Sequence, residues 1–211
     1  MRAAIISNGQ IDDYEYIKKY ILESDILICA DGGGEHAFKM GLIPDVLIGD
    51  FDSISEDTLK LFEKNSTSVF KYKREKDQTD TELAVDCAIS KGADEIILIG
   101  GTGKRLDHTY ANISLLVVMR ERDIEGLIID EYNEIRVIDK FLRMQGDKND
   151  KISLLAFTPE VCGVTTRGLK YPLKDGVLKN DNTLGISNEF LDSEAEIEVK
   201  SGILLVIKAR D

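Results

Sequence analysis

The stretch Gly49-Asp50-Phe51-Asp52-Ser53 follows the apolar run Val46-Leu47-Ile48 and sets two carboxylates two residues apart. In an extended backbone, residues i and i+2 point to the same side. Two ionised carboxylates about 5 Å apart repel by roughly 3 kcal/mol at an effective dielectric near 20. Such a pair calls for a cation between its members or for a solvated loop. Three more acidic segments stand behind apolar runs: Ala30-Asp31-Gly32-Gly33-Gly34, Lys76-Asp77-Gln78-Thr79-Asp80-Thr81-Glu82, and Gly100-Gly101-Thr102-Gly103-Lys104-Arg105-Leu106-Asp107-His108. Turns favour Asp and Gly in any case, so each segment alone is weak evidence. Their recurrence behind successive strands is stronger, because open parallel α/β sheets bind ligands beyond the carboxyl ends of their strands.

Each segment also has a plainer use. Ser53-Ile54-Ser55-Glu56 and Thr79-Asp80-Thr81-Glu82 fit capping boxes, so Ser53, Thr79 and Glu82 are expected to act mainly as caps. Asp107 could be a simple N-cap. One cap needs only one carboxylate, so Asp50 with Asp52 favours the metal reading. The glycines of residues 100–105 let backbone N–H groups approach phosphates, with Lys104 and Arg105 to pair with them. The loop is not a Walker A motif: Leu98 stands where its first glycine belongs, and Arg105 follows the lysine where Ser or Thr is required. No G-x-G-x-x-G is present either, which argues against a nicotinamide cofactor. His36 reads as structural or exposed. His108 could touch nucleotide but has no Ser or Cys nucleophile beside it. The Asp50-x-Asp52 pair superficially matches haloacid-dehalogenase phosphatases. Those enzymes place the nucleophile after the first strand and continue with Thr, whereas here the pair follows the third strand and continues with Ser53.

The elements that must position these residues alternate. Strands are expected over 3–6, 26–29, 46–48, 68–72 and 95–99, with helices over 13–22, 35–40, 55–63, 81–90 and from about 108 to 121. Residues 127–129 and 135–138 would add two more strands. This pattern predicts a parallel sheet covered on both faces, a Rossmann-like three-layer α/β domain over 1–138. Beyond residue 139 helical periodicity fades. Residues 144–150 read as a polar approach to a second domain. Short β-type stretches at 151–156, 161–166, 196–199 and 203–208, separated by Gly and Asn turns, predict an all-β sandwich over 139–211.

Composition narrows the function. The chain has 211 residues and a formal net charge of −12, with 43% apolar and 31% charged residues. That charge argues against nucleic acid, which needs a basic face, and against an anionic membrane surface. No apolar run approaches the ~18 residues of a membrane span. The N-terminus shows no signal-peptide h-region. Cys29, Cys87 and Cys162, odd in number and dispersed in apolar contexts, read as buried thiols of a cytoplasmic protein.

Taken in order, Ala30-Asp31-Gly32-Gly33, Gly49-Asp50-Phe51-Asp52-Ser53, Asp77-Gln78-Thr79-Asp80 and Gly100-Gly101-x-Gly103-x-Arg105-x-Asp107-His108 resemble the thiamine pyrophosphokinase (thiamine diphosphokinase) family. Residues 168–173 (Gly-Leu-Lys-Tyr-Pro-Leu) and 185–190 (Gly-Ile-Ser-Asn-Glu-Phe) resemble its substrate-binding domain. The resemblance implies an ATP-dependent diphosphotransferase that moves a pyrophosphoryl group to the thiamine hydroxyl, giving thiamine diphosphate and AMP. It implies Mg²⁺ on Asp50, Asp52 and Asp80, with Arg105 and Asp107 completing the catalytic set. It implies ATP contacts from Asp31, Gly32, Gly33, Gln78, Thr79, Gly101, Gly103, Lys104, Arg105, Asp107 and His108. Thiamine contacts fall to Ser187, Asn188, Phe190 and Tyr171. The chain has no Trp, whereas some relatives stack an indole on thiamine, so Phe190 or Tyr171 is expected to serve. The resemblance further implies a homodimer whose sites are shared between subunits. The rival readings are a pyrophosphokinase for another hydroxymethyl substrate, such as a pterin, and a nucleotide- or thiamine-sensing module without turnover.

Overall fold

The computed structural model describes residues 1–210. Contacts divide the chain into two compact units, the first spanning Met1–Glu131 and the second beginning at Tyr132. The first runs β1 (Arg2–Ile6), α1 (Tyr14–Leu22), β2 (Ile26–Ala30), α2 (Gly33–Lys39), β3 (Val46–Gly49), α3 (Glu56–Lys64), β4 (Ser68–Lys71), α4 (Asp80–Ser90), β5 (Glu95–Ile99), α5 (Leu106–Glu121) and β6 (Glu125–Ile129). Every strand pairing in it is parallel, in the order β6-β5-β1-β2-β3-β4. The central strands are near-continuous Ile, Val, Leu and Ala because both of their faces are covered. Ala4, Ile6, Cys29, Leu47, Ile97 and Ile99 meet Ile17, Ile21, Ala37 and Phe62 from α1, α2 and α3. On the other side α4 packs on β1, β2 and β3, and α5 on β6. Each fully buried Ile or Phe contributes roughly 1.5–3 kcal/mol. Edge strand β4 is mostly exposed and ends in Lys71, a charge that discourages further pairing.

The second unit contains β7 (Asn133–Ile138), β8 (Phe141–Gln145), β9 (Lys151–Ala156), β10 (Glu160–Arg167), β11 (Gly176–Lys179), β12 (Asn188–Glu189), β13 (Glu194–Glu198) and β14 (Leu204–Ala209). Two antiparallel ladders, β12-β9-β14-β7 and β11-β10-β13-β8, share one core. That core holds Ile138, Ile152, Leu154, Leu204 and Val206 from the first, and Met144, Val161, Val164, Leu178 and Ile197 from the second. The expected β-sandwich is present.

Three details differ from the sequence reading. Residues 135–138 do form a strand, β7, but it pairs antiparallel with β14 and goes with the second unit. Residues 141–145 form β8, not only a polar approach, because Met144 is buried while its exposed neighbours Arg143 and Gln145 bond Glu196 and Glu194 on β13. Cys29 is buried, but Cys87 and Cys162 are only partly so.

Candidate active site

The strand order reverses between β1 and β5: β2, β3 and β4 follow on one side of β1, then the chain returns to its other side. The loops leaving β1 and β5 therefore diverge, and a crevice opens beyond their carboxyl ends. A cavity of about 770 Å³ lies there. Its walls come from residues 7–10 after β1, Ala30 at the end of β2 and Asp31 after it, Asp50 and Asp52 after β3, residues 76 and 78–81 before and into α4, residues 100–105 after β5, and His108 and Thr109 of α5.

Asp31, Asp50 and Asp52 each bring a carboxylate oxygen to within 4.8 Å of the other two. The route by which Asp50 and Asp52 meet is not the expected one. Phe51 has φ of +66°, so the backbone turns instead of running on, and Asp52 N–H donates to Asp50 Oδ1 at 3.1 Å. An aromatic residue in the left-handed region costs on the order of 1–2 kcal/mol. Packing of Phe51 against the α1–α3 core offsets that cost. Asp31 also has positive φ (+44°), and its N–H is held by Ile48 O at 2.7 Å. Its Oδ1 is buried without a hydrogen-bond partner. Carboxylate oxygens gathered this closely could hold a hard cation. Asp80 borders the group, but Lys76 Nζ lies 2.8 Å from its Oδ1. Burial, followed by the charges of Asp31 and Asp50, raises the Asp80 pKa against the opposing pull of Lys76.

The glycines divide into two roles. A Cβ on Gly33 would sit 2.0 Å from Ile6 O, and one on Gly32 2.3 Å from Asn8 Oδ1. Both are buried where α2 passes the end of β1, and neither lines the cavity. Gly32 and Gly33, expected at the nucleotide, are thus closely packed and lie outside the cavity lining. Gly101 and Gly103 do line the cavity. Gly101 O accepts from Asn112 Nδ2 at 2.7 Å, and Thr102 Oγ1 donates to Asp130 Oδ2 at 2.7 Å, which fixes the loop. Gly9 N–H donates to Gly100 O at 2.9 Å, tying the two divergent loops together.

Thr79 caps α4 by accepting from Glu82 N–H. Ser53 does not cap α3: Ser55 does, while Ser53 Oγ donates to Asp52 Oδ1. Gln78 lines the cavity with its amide donating to Glu82 and Asp86. Asp107 is not an N-cap either. It lies in the first turn of α5, where its carboxylate grips Arg105 through Nε and Nη2. That ion pair draws the Asp107 carboxyl down to about 2, although the Arg105 side chain is 70% exposed. Lys104 is exposed at the same rim.

Several cavity residues escaped the sequence reading: Ser7, Asn8, Gly9, Gln10, Lys76 and Asn112. The Asn8-Gly9 step directly after the first strand was the one available signal. His36 is neither exposed nor idle. Its Nε2–H donates to Gly9 O at 2.9 Å, so Nδ1 accepts from Tyr14 Oη at 2.8 Å. Burial lowers its pKa, which favours this neutral tautomer.

In the second unit, Asn188 is buried, and its amide accepts from Tyr171 N–H and donates to Tyr171 O. Tyr171 is 59% exposed, whereas Phe190 is 1% exposed and part of the core. Phe190 therefore cannot present its ring to a ligand in this structure. Ser187 is exposed, with φ of +56° and its N–H donated to Ser153 Oγ.

Residues 17–128 match the profile "Thiamin pyrophosphokinase, catalytic domain", and residues 139–204 match "Thiamin pyrophosphokinase, vitamin B1 binding domain". The chain is 34% identical over 209 residues to the thiamine pyrophosphokinase of Bacillus subtilis (strain 168), covering 98% of both chains. Its structure is similar to the crystal structure of thiamine pyrophosphokinase from B. subtilis, with TM-score 0.91, 32% identity and full coverage of both chains. It is also similar to that from Geobacillus thermodenitrificans, with TM-score 0.86, 32% identity and coverage of 100% and 98%. With both profiles matched in order and a relative this similar over nearly its whole length, the chain belongs to the thiamine pyrophosphokinase family.

Proposed function

We propose that this protein transfers the β,γ-pyrophosphoryl group of ATP to the hydroxyl of thiamine, releasing AMP. The convergence of Asp31, Asp50 and Asp52 opposite the glycine loop, at the point where the strand order reverses, carries this reading. Asp31, Asp50 and Asp52, with Asp80 at their border, would hold Mg²⁺. When bound, the ion supplies charge neutralisation to the polyphosphate.

Pyrophosphoryl transfer forms a bond between the thiamine oxygen and the β-phosphorus and breaks the bond from that phosphorus to the α,β-bridging oxygen. The bridging oxygen leaves with AMP, and the hydroxyl proton is lost. The chain's task is in-line positioning and dispersal of charge. The loop of Gly101 and Gly103 brings backbone close to phosphate. Lys104 and Arg105 meet its oxygens, with Asp107 orienting the guanidinium. Gln78, Thr79 and His108 border the nucleotide. The second unit provides thiamine contacts through Ser187 and Tyr171, with Asn188 holding the Tyr171 backbone in place. We place the protein in the cytoplasm. It acts as a homodimer in which the carboxylates of one subunit serve the thiamine residues of the other.

The deciding experiment incubates the protein with Mg-ATP and thiamine and identifies products by mass. Thiamine diphosphate and AMP in one-to-one ratio are expected. Thiamine monophosphate with stoichiometric ADP, or no product, would refute the assignment.

A further inference from the structure

The proposed reaction needs cations against the triphosphate, yet most of the cations around the cavity stand at its edge. Lys104 is exposed, Arg105 is committed to Asp107, and Arg74 is 83% exposed with Nη1 3.7 Å from Asp52 Oδ2. Lys76 differs from all three. Its side chain is only 16% exposed, it lines the cavity, and its Nζ lies 2.8 Å from Asp80 Oδ1 and 3.3 Å from Lys73 O. An ammonium has three donors; Lys76 Nζ donates to Lys73 O, and Asp80 Oδ1 beside it has no hydrogen-bond partner, so the ammonium keeps donors for a ligand. The comparison with Lys60 and Glu56 is informative. That pair has the same i,i+4 spacing but stands open to solvent, with side chains 68% and 88% exposed. Lysine is rarely withdrawn from water unless something pairs with it, and here the withdrawal is into the cavity wall beside the acidic cluster.

We infer that Lys76 is a polyphosphate-binding residue, aimed into the cavity by its ion pair with Asp80. This rests on the nucleotide reading above. A phosphate chain lying between Lys76 and the loop of Gly101 and Gly103 meets a desolvated point charge on one side and backbone N–H groups on the other. A charge-assisted contact of this kind is stronger than one made at the exposed rim. Asp80 then has a role toward the substrate through Lys76, in addition to its position beside the other carboxylates.

The test is calorimetric binding to the full-length protein with saturating Mg²⁺ and without thiamine. The probes are ATP, inorganic tripolyphosphate and adenosine. Lys76→Met should weaken ATP and tripolyphosphate at least tenfold and leave adenosine within twofold. Lys76→Arg should recover most of the loss, and Lys60→Met should change nothing. Should Lys76→Met unfold because Asp80 is left unpaired beside Asp31 and Asp50, the double variant Lys76→Met/Asp80→Asn removes both charges, and the ratio of tripolyphosphate to adenosine affinity is read there. Unchanged ATP affinity in a folded Lys76 variant, or equal losses for adenosine and tripolyphosphate, would overturn the inference while leaving the proposed function intact. Wild-type protein that binds no ATP and makes no thiamine diphosphate would overturn the proposed function itself.

Discussion

Asp50 and Asp52 illustrate how a correct residue-level expectation can rest on a different backbone. Period-two geometry would set both side chains on one side of a strand, but β3 ends at Gly49 and the left-handed Phe51 turns the chain. The carboxylates still converge, and Asp31 arrives from the neighbouring strand to complete a group that its own sequence neighbourhood does not reveal. Such a cluster trades stability for function. Asp52→Asn should lower kcat at least a hundredfold by removing a hard anionic ligand, with the fold unchanged by circular dichroism. A folded variant with near-normal kcat at ordinary Mg²⁺ would refute the metal assignment. Asp50→Asn keeps the oxygen that accepts from Asp52 N–H while removing one charge. In EDTA it should raise Tm by about 2–4 °C, corresponding to about 1 kcal/mol of relieved repulsion. A fall in Tm would show that the cluster is not under electrostatic strain.

At the scale of elements, the parallel sheet provides a common edge and the close-packed glycines let its helices approach. Gly33 against Ile6 O brings the first turn of α2, and with it Asp31, up to the β1 loop. In the second unit the partly buried ion pairs act across strands. Glu134 on β7 stands opposite Lys208 on β14, with Oε2 2.9 Å from Lys208 Nζ and Oε1 accepting from Arg136 Nε at 3.0 Å. Burial pushes the Glu134 carboxyl up, but Arg136 and Lys208 outweigh it and the pKa falls below 4.5. The folded-state pKa is thus below the unfolded one. The stabilisation is complete above about pH 4.5 and disappears as pH falls through the folded value. Glu134→Gln should cost about 2 kcal/mol at pH 7. The gap between variant and wild type, measured by urea titration, should shrink below pH 4.5. A gap independent of pH would mean that the loss is one of packing, not charge.

At the scale of the whole molecule, an acidic protein that handles a polyanion needs local cations and a metal, while its net charge of −12 favours a cationic acceptor. The candidate acceptor residues lie in the second unit and the carboxylates in the first. A small β unit gains stability by burying surface against a second copy. The shared-site proposal makes a sharp prediction. Asp52→Asn chains and Asn188→Ala chains, each inactive alone, should regain part of the activity when mixed under subunit exchange. One site of each heterodimer then carries both lesions and the other carries none. A silent mixture with heterodimers confirmed by native mass spectrometry would exclude composite sites.

The alternation of strands and helices, the change to β texture in the C-terminal part, and the acidic and glycine-rich segments behind strands 2 to 5 were all legible in the sequence. Each is a local pattern: burial on two faces writes continuous Ile, Val and Leu, and turns write Asp and Gly. The antiparallel pairing of β7 was not legible, because a short apolar strand reads the same in a parallel or an antiparallel ladder until β14, some 65 residues later, lies against it. Nor could local pattern separate Gly32 and Gly33, needed for packing, from Gly101 and Gly103, which face the cavity. The same limit applies to Phe190, buried in the core, and Tyr171, exposed. Tertiary structure alone brought Asp31 to Asp50 and Asp52, sank Lys76 beside Asp80, and tied Gly9 to His36 and Gly100. These are contacts between segments distant in sequence, set by the order in which the strands assemble, and no spacing along the chain encodes them.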